Sequence, residues 1–437
     1  MTYHNAVKYI LCAPDKSGPA TSYARIRLLS GLLGSPEARL RYVRFAGSNG
    51  KTVCQTMMSR VLTEAGVRVG SLLMPTTKEP RENVLISGEP LSIEDTVSYV
   101  EKIVQAVSVA KKMVADKDEA LDEELISGKV DVEPTKNEII LLMALLAFRD
   151  KGCALSLIEC EQKGADPTKF LSPAPHTVIC GTIPDDDTSE LRKIKSYIKS
   201  GITEIVSAPQ DSRAYKSISG ACAEINCRFS MPIRSSIEIT RLTLKGSEFT
   251  YRDKGYRLAL AGRFQVQNAT TIIEAVSMLE RAGYKIGYDA LCRAFSLIDL
   301  HTRFETLSLM PTIIADSTHK TEAVAAMSET LADFKSQTGT DIALCISHDL
   351  PLIEEYLKNF SERGYNVKEI IIPLPDKSTV ADTADLATDI EITMPMTYKA
   401  AARRIIDASR EHGFVLITGE SEPTDKLRRE VLRILEY

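Results

Sequence analysis

Residues 47–52, Gly47-Ser48-Asn49-Gly50-Lys51-Thr52, combine the groups that a chain of phosphates needs. Glycines let the backbone turn its N–H groups toward an anion, a lysine reaches terminal phosphates, and a threonine hydroxyl suits a hard cation such as Mg2+. Such a cradle works only where a strand delivers the loop and a helix N-terminus receives it. Both are legible. Tyr42 to Ala46 alternates as a short strand, and Val53, Met57, Val61, Leu62 and Ala65 recur at helical spacing, with Ser59, Arg60 and Glu64 mostly opposite. The pattern predicts a nucleoside triphosphate site. It departs from the full P-loop spacing, because Phe45 stands where that spacing needs glycine. On these residues alone, a plain strand-to-helix turn with a solvated lysine stays open.

The rest of the chain must supply the scaffold. Its 437 residues suffice for two or three domains, and 44% apolar with 26% charged residues is ordinary for a soluble globular protein. A net charge of −5 gives no general attraction to nucleic acid or an anionic membrane, so an anionic ligand must be held by local positive groups. No stretch reaches the ~18 consecutive apolar residues of a membrane span, and the first twenty residues lack a leader pattern. Nine cysteines, an odd number scattered without Cys-x-x-Cys pairs, predict a reduced, cytoplasmic chain with mostly buried thiols.

Read in order, residues 25–33 form an amphipathic helical piece, and 68–73 a buried strand ending at Met74-Pro75. Ser92 with Asp95 caps a long helix to about Val114. Residues 116–133, with eight acids and no periodicity, predict a solvated loop or helix end. Thr135 to Glu138 opens an apolar helix to Phe148, and 154–158 reads as a buried parallel strand. Residues 239–260 suggest an antiparallel hairpin turning at Gly255. Beyond about Leu300, strands at 312–316, 341–346, 368–373 and 414–418 alternate with helices over 320–334, 352–363 and 398–409. This predicts a second, smaller, Rossmann-like open α/β domain over 299–437, after a P-loop-type central-sheet ATPase domain over 1–298 with an N-terminal helical segment. Ligands of such sheets collect at strand carboxyl ends, so the two-domain chain predicts an active cleft between the domains.

A set of short segments, in order over nearly the full length, resembles the folylpolyglutamate synthase and dihydrofolate synthase family of the Mur ligase superfamily. The loop Gly47 to Thr52 is similar to the family's Gly-Thr-Asn-Gly-Lys loop. Met74-Pro75-Thr76, Arg81 to Val84 and Ile86 to Ser92 resemble its Ser-Pro-His, Glu-Arg-Ile and Asn-Gly-Glu-Pro-Ile run. Glu159 to Thr168 keeps Glu159, Gly164, Asp166 and Thr168 of its glycine-rich motif. Lys199-Ser-Gly-Ile202, Gly262 to Ala269 around Asn268, Arg303-Phe-Glu305 and Asp316-Ser-Thr-His319 stand where the family has Lys-Ala-Gly-Ile, Gly-x-His-Gln-x-x-Asn-Ala, Arg-x-Glu and Asp-x-Ala-His-Asn-Pro.

The resemblance implies that Gly47, Ser48, Asn49, Gly50, Lys51 and Thr52 bind ATP phosphates, with Thr52 and Glu159 holding Mg2+. It implies that Lys199 is carbamylated to hold a second Mg2+, since a carbamate turns a cation into the oxygen ligand that a hard metal requires. Asn268, Arg303, Asp316 and His319 would bracket the nucleotide, and Lys51, Lys199, Glu159 and His319 form the implied catalytic set. Several positions depart from the pattern. Met74 and Thr76 replace serine and histidine, and the glycine-rich stretch becomes Cys160-Glu-Gln-Lys163. Pro184 replaces an expected metal-binding histidine, beside which Asp185 can serve Mg2+; Ile198 replaces glutamate, His301-Thr302 replaces Pro-Gly, and Lys320 replaces asparagine.

The implied function is an ATP-dependent amide ligase that adds L-glutamate to a folate-type carboxylate through an acyl phosphate. Its partners are then small molecules, namely the folate-type acid, L-glutamate and ATP, with no nucleic acid and no membrane, and the chain is expected to act as a monomer. Two alternatives stay open: a Mur-type ligase with a different acid and amine, and a catalytically weak nucleotide-binding paralogue.

Overall fold

The computed structural model describes residues 1–14, 23–47, 49–74, 79–118, 121–160, 166–171, 175–184, 187–319, 321–346, 350–374 and 390–436. The chain divides into two compact units, Met1–Ser236 with Gln267–Phe295, and Ile237–Val266 with Ser296–Tyr437. This differs from a single division after residue 298 chiefly in Ile237–Val266, which groups with the second unit, as do residues 296–298. Packing explains why. Leu244 shares an apolar cluster with Ala261, Phe304 and Phe334. The Leu244 N–H donates to Gln337 Oε1 at 3.3 Å, the Thr306 hydroxyl donates to the Leu244 carbonyl at 2.8 Å, and Arg263 pairs with Asp333 at 2.7 Å.

The first unit begins with α1 (Tyr3–Cys12), α2 (Ala24–Leu32), β1 (Tyr42–Ala46), α3 (Lys51–Glu64), β2 (Val69–Leu72), β3 (Val84–Ile86) and β4 (Glu89–Pro90). It continues through α4 (Ile93–Ala115), α5 (Glu123–Ile126), α6 (Lys136–Asp150), β5 (Leu155–Glu159), β6 (His176–Ile179), α7 (Thr188–Lys195), β7 (Glu204–Ser207), α8 (Ser212–Glu224) and β8 (Arg228–Ser230). Among the described residues its sheet runs β4-β3-β2-β5-β1-β6-β7-β8, parallel from β2 to β8 with β3 and β4 as an antiparallel margin. Strand β1 is therefore central, hydrogen-bonded to β5 on one side and β6 on the other, and all five of its residues are buried. That is the expected fate of a parallel strand covered on both faces.

Two long helices of this unit start for reasons visible in their first turns. The Ser92 hydroxyl accepts the Asp95 N–H and starts α4. Thr135 and Glu138 form a reciprocal capping box at α6, whose residues Glu138 to Phe148 are all buried. A helix apolar on all sides must be a core helix, and α6 packs against α1, α4, β2 and β3. The acidic stretch 116–133 is more anchored than its composition predicts. It contains α5, and Leu125, Val130 and Val132 join the core while the acids around them stay outside. Single apolar residues at irregular spacing carry no periodic signal, which is why the anchor escapes a periodicity search.

The second unit opens with an antiparallel sheet of β9 (Ile237–Thr243), β10 (Gly246–Tyr251) and β11 (Lys254–Leu258). The turn between β10 and β11 lies at Arg252-Asp253, with φ of 52° and 59°, and not at Gly255, which pairs with Thr250 inside the ladder. Two left-handed residues match the twist of a two-residue hairpin, and aspartate accepts that conformation without glycine. The chain then returns to the first unit through most of α9 (Arg263–Arg281) and α10 (Tyr288–Leu297). The chain continues with β12 (Glu305–Leu309), β13 (Thr312–Asp316), α11 (Thr321–Ala332), α12 (Lys335–Thr338), β14 (Asp341–Ile346) and α13 (Leu350–Glu362). It ends with β15 (Asn366–Ile371), β16 (Glu391–Thr393), α14 (Tyr398–His412), β17 (Phe414–Thr418) and α15 (Ser421–Leu435).

Among the described residues the second sheet runs β12-β13-β17-β14-β15-β16, parallel except for β12. Successive side chains go to opposite faces, each of them a core. Ile314, Leu344, Ile370 and Leu416 pack with residues of α11 and α13, whereas Ile313, Ala343, Ile371 and Val415 pack with α14 and α15. No helix among the described residues is long and apolar enough to cross a membrane.

Candidate active site

The cradle is built at the carboxyl ends of three neighbouring strands, β5, β1 and β6, where open α/β sheets collect ligands. Gly47 follows β1 with φ of 125°, and a Cβ there would lie 2.1 Å from the Cys180 carbonyl oxygen just beyond β6. Gly50 precedes α3 with φ of 76°, and a Cβ there would lie 2.9 Å from Asn268 Oδ1 on α9. Both glycines are thus required by conformation, and Gly47 by space as well, since backbone faces it. Asn49 is exposed between them, with its carbonyl against Gly181. Ser48 lies outside the described residues.

Lysine, hydroxyl and carboxylate converge beyond the loop. The Lys51 ammonium is buried, donates to the Gly47 carbonyl at 2.8 Å and lies 4.0 Å from Glu159 Oε1. The Thr52 hydroxyl is 3.2 Å from both Glu159 oxygens, and the Met74 N–H donates to Oε2 at 3.4 Å. Glu159 ends β5 and Thr52 sits in the first turn of α3, so strand register and helix start together set this geometry. A hydroxyl and a carboxylate side by side are the oxygen donors that Mg2+ takes, and the ammonium with the free N–H groups of the α3 N-terminus suits phosphate. Asn268, 8% exposed, closes the loop from α9, where Cys54 Sγ donates to its Oδ1 at 3.6 Å. Burial pushes the Cys180 thiol well up, and its contact with Cys54 adds to that, so this thiol stays protonated.

A second polar cluster borders the cradle. Buried Asp166 accepts from the Tyr197 hydroxyl at 2.5 Å, from the Thr168 hydroxyl at 2.7 Å and from the Thr168 N–H at 3.0 Å. Arg44, inside β1, donates to the carbonyls of Thr168 and Leu171 at 3.1 and 2.8 Å. The Arg44 guanidinium and the Lys169 ammonium both lie over the Tyr197 ring, at 5.3 and 4.7 Å. Burial lowers the pKa of Lys193, and the nearby charge of Lys51 lowers it further against the opposing Glu190 and Asp166. Motif reasoning singles out none of Arg44, Lys169, Lys193 and Tyr197. The available signal is Arg44, a charge in the middle of an otherwise apolar buried strand.

Lys199 is exposed, and among the described residues it forms no hydrogen bond or ion pair with Thr52 or Glu159. The structure does not bring it to that pair. Asp185, Thr76, Gly164 and Lys320 lie outside the described residues.

In the second unit, Arg303, Asp316 and His319 gather near the carboxyl end of β13. Asp316 is buried and accepts from the Phe304 N–H at 2.8 Å and the Thr318 hydroxyl at 2.5 Å. Burial raises its carboxyl pKa, against the lowering effects of Thr318, the Arg303 charge and the Phe304 N–H. His319 is exposed, with Nδ1–H donating to the Ser317 carbonyl at 3.0 Å. Arg303 is half-buried between two residues in the left-handed region, Thr302 at φ 54° and Phe304 at φ 57°.

No family model matches the chain. It is 26% identical over 358 residues to a dihydrofolate synthase/folylpolyglutamate synthase of Mycobacterium tuberculosis, over 74% of this chain and 70% of that protein. A protein of the same name from Bacillus subtilis is 23% identical over 395 residues, 85% of each chain. The solved folylpolyglutamate synthase of Mycobacterium tuberculosis complexed with ADP and AMPPCP matches with a TM-score of 0.76 at 18% identity, over 99% of this chain and 98% of that one. At such identity the likeness establishes the fold: a central-sheet α/β unit and a smaller open α/β unit.

Proposed function

We propose, from the premise that this chain is a divergent member of the folylpolyglutamate synthase and dihydrofolate synthase family, that it is an ATP-dependent ligase joining L-glutamate to a folate-type carboxylate. The observation that carries the proposal is the convergence of Lys51, Thr52 and Glu159 behind a glycine loop at the end of β1.

The chemistry accounts for this grouping. A carboxylate is a poor electrophile, so it first takes the γ-phosphoryl group of ATP; the amine of glutamate then attacks the acyl phosphate and phosphate departs. Two anions meet in the first step. Lys51 offsets their repulsion, while the loop Gly47 to Gly50 and the α3 N-terminus hold the phosphates without having to reorganise. Thr52 and Glu159 are the ligands for Mg2+, which when bound spreads charge from the transferring group. Asn268 holds the loop from behind, and Arg303, Asp316 and His319 are the second unit's nucleotide ligands. Lys199 stays in the proposal as the carbamylated ligand that the family resemblance assigns, with Asp185 in place of the missing histidine.

The deciding assay is phosphate release from Mg-ATP by the purified chain, with tetrahydrofolate and L-glutamate added singly and together. Release should need both substrates, yield a product one glutamate heavier and vanish in Lys51→Ala. ATP binding without turnover in any combination refutes the folate-type acceptor.

A further inference from the structure

The turn that carries Arg303 has a conformation its own residues do not favour. Thr302 and Phe304 both take left-handed φ values, 54° and 57°. A β-branched residue and a bulky aromatic are poor choices there, where glycine is free. A strained backbone persists only where its surroundings over-determine it, and around this turn they do. The Thr302 N–H donates to Glu305 Oε2 at 2.8 Å, and the Ser317 N–H donates to the Thr302 carbonyl at 2.9 Å. On the far side of Arg303, the Phe304 N–H donates to Asp316 Oδ2 at 2.8 Å, and the Phe304 ring packs against Phe264 and Phe334. None of these bonds uses the Arg303 side chain.

Glu305 is itself held. Arg428, on α15, donates from Nε to both Glu305 oxygens at 2.8 and 2.6 Å, and its Nη2 donates to His301 Nδ1 at 2.7 Å. The side chains of Arg428 and Glu305 are 12% and 16% exposed, so this is a largely desolvated ion pair and not a surface contact. It ties the last helix of the chain to the residue before Arg303, to Glu305 and to His301 in one arrangement.

We infer that Arg428 and Glu305 are positioning residues for Arg303: they hold Thr302 in its unfavourable conformation and thereby fix how the turn presents Arg303 to nucleotide. Neither touches the nucleotide. The inference rests on the proposed role of Arg303 as a nucleotide ligand, and it explains how the chain dispenses with a glycine at residue 302. A residue free to adopt this φ needs no brace, whereas threonine does.

The test is calorimetric titration of the full chain with Mg-ATP alone, which reads nucleotide binding without depending on the acid substrate. Thermal melting accompanies each variant. If the brace offsets the left-handed penalty of one residue, Arg428→Ala and Glu305→Gln each weaken ATP binding about tenfold. Arg428→Lys, which keeps the charge but loses the fork, recovers part of the loss. Thr302→Gly added to Arg428→Ala restores most of the affinity, because glycine takes the turn unaided; a merely structural role would not predict that rescue. Affinity unchanged in both Arg428→Ala and Glu305→Gln, with Arg303→Ala weakening it, overturns the brace and leaves the Arg303 reading standing. Affinity unchanged in Arg303→Ala overturns the Arg303 reading and the brace with it. Loss in Arg428→Ala that Thr302→Gly fails to restore also overturns the brace.

Discussion

Gly47→Ala is the substitution whose consequences can be worked most directly from the geometry. The new Cβ would stand 2.1 Å from the Cys180 carbonyl oxygen, about 1 Å inside the closest approach that real Cβ atoms show, and the obstacle is backbone at the end of β6. Holding a non-glycine residue at φ of 125° costs roughly 1–3 kcal/mol, and forcing the overlap costs a further 1–3 kcal/mol, so about 4 kcal/mol in all. For a unit of this size that lowers the melting temperature by roughly 8–16 °C. Gly66→Ala is the matched control. It has a similar left-handed φ of 75° but nothing within 4 Å of the new atom, so it should cost about 1–2 kcal/mol and roughly 2–8 °C. The second readout is nucleotide. Mg-ATP at about 100 times its Kd stabilises the folded state by about 2.7 kcal/mol, and this upward shift should survive in Gly66→Ala and vanish in Gly47→Ala, where the carbonyl that receives Lys51 is displaced. Equal melting of the two variants, with the Mg-ATP shift retained in both, refutes the geometric argument.

Two further predictions concern buried charge. Arg25 meets Glu138 through two bonds of 2.9 and 3.0 Å, with side chains 5% and 8% exposed, so Arg25→Met should cost about 3–5 kcal/mol in urea unfolding by stranding a carboxylate. Adding Glu138→Gln, which removes that charge and still completes the capping box, should recover much of the loss; no recovery in the double variant refutes the reasoning. Burial by itself would raise the Glu305 carboxyl, but neighbouring His301, the Arg428 guanidinium and the Thr302 N–H outweigh it and hold the pKa at about 2, against an ordinary 4.5. A carboxyl depressed in the folded state contributes stability that is fully present above pH 4.5 and lost as the pH falls toward 2. Glu305→Gln should therefore flatten the acid limb of the stability curve in that window, and an unchanged limb there refutes it.

Much of this architecture follows from local signals. The strand at 42–46, the Ser92 cap, the Thr135 to Glu138 box and the strands at 312–316, 341–346 and 414–418 stand where propensity and pattern put them, because each is a local rule obeyed without competition. The acidic segment and the Arg252-Asp253 turn do not, since one is anchored by isolated apolar residues and the other uses residues that glycine outcompetes in any motif search. Of the site, Lys51, Thr52 and Glu159 are legible because strand ends and a helix start bring them together. Arg44, Tyr197 and the Glu305–Arg428 pair are not. Their meaning lies in contacts between segments far apart in the chain, and no spacing encodes those.

The position of β1 at the centre of its sheet has a consequence for the order of events on the ribosome. Helix α6 is apolar all round, and most of what it packs on, including α1, α4, β2 and β3, precedes it, although the turn at Pro167–Phe170 follows. As the chain emerges at about 5–20 residues per second, most of that core can therefore begin to condense once α6 appears. The glycine loop behind β1 meets a different schedule. It is among the first segments made, yet the Cys180 carbonyl and the Asn268 amide that confine it arrive only with β6 and α9. A nascent chain thus carries the whole phosphate-binding motif long before it has a place to hold phosphate. Nucleotide can take no part in assembling the early core, and acts only afterwards, as a clasp on a unit already folded.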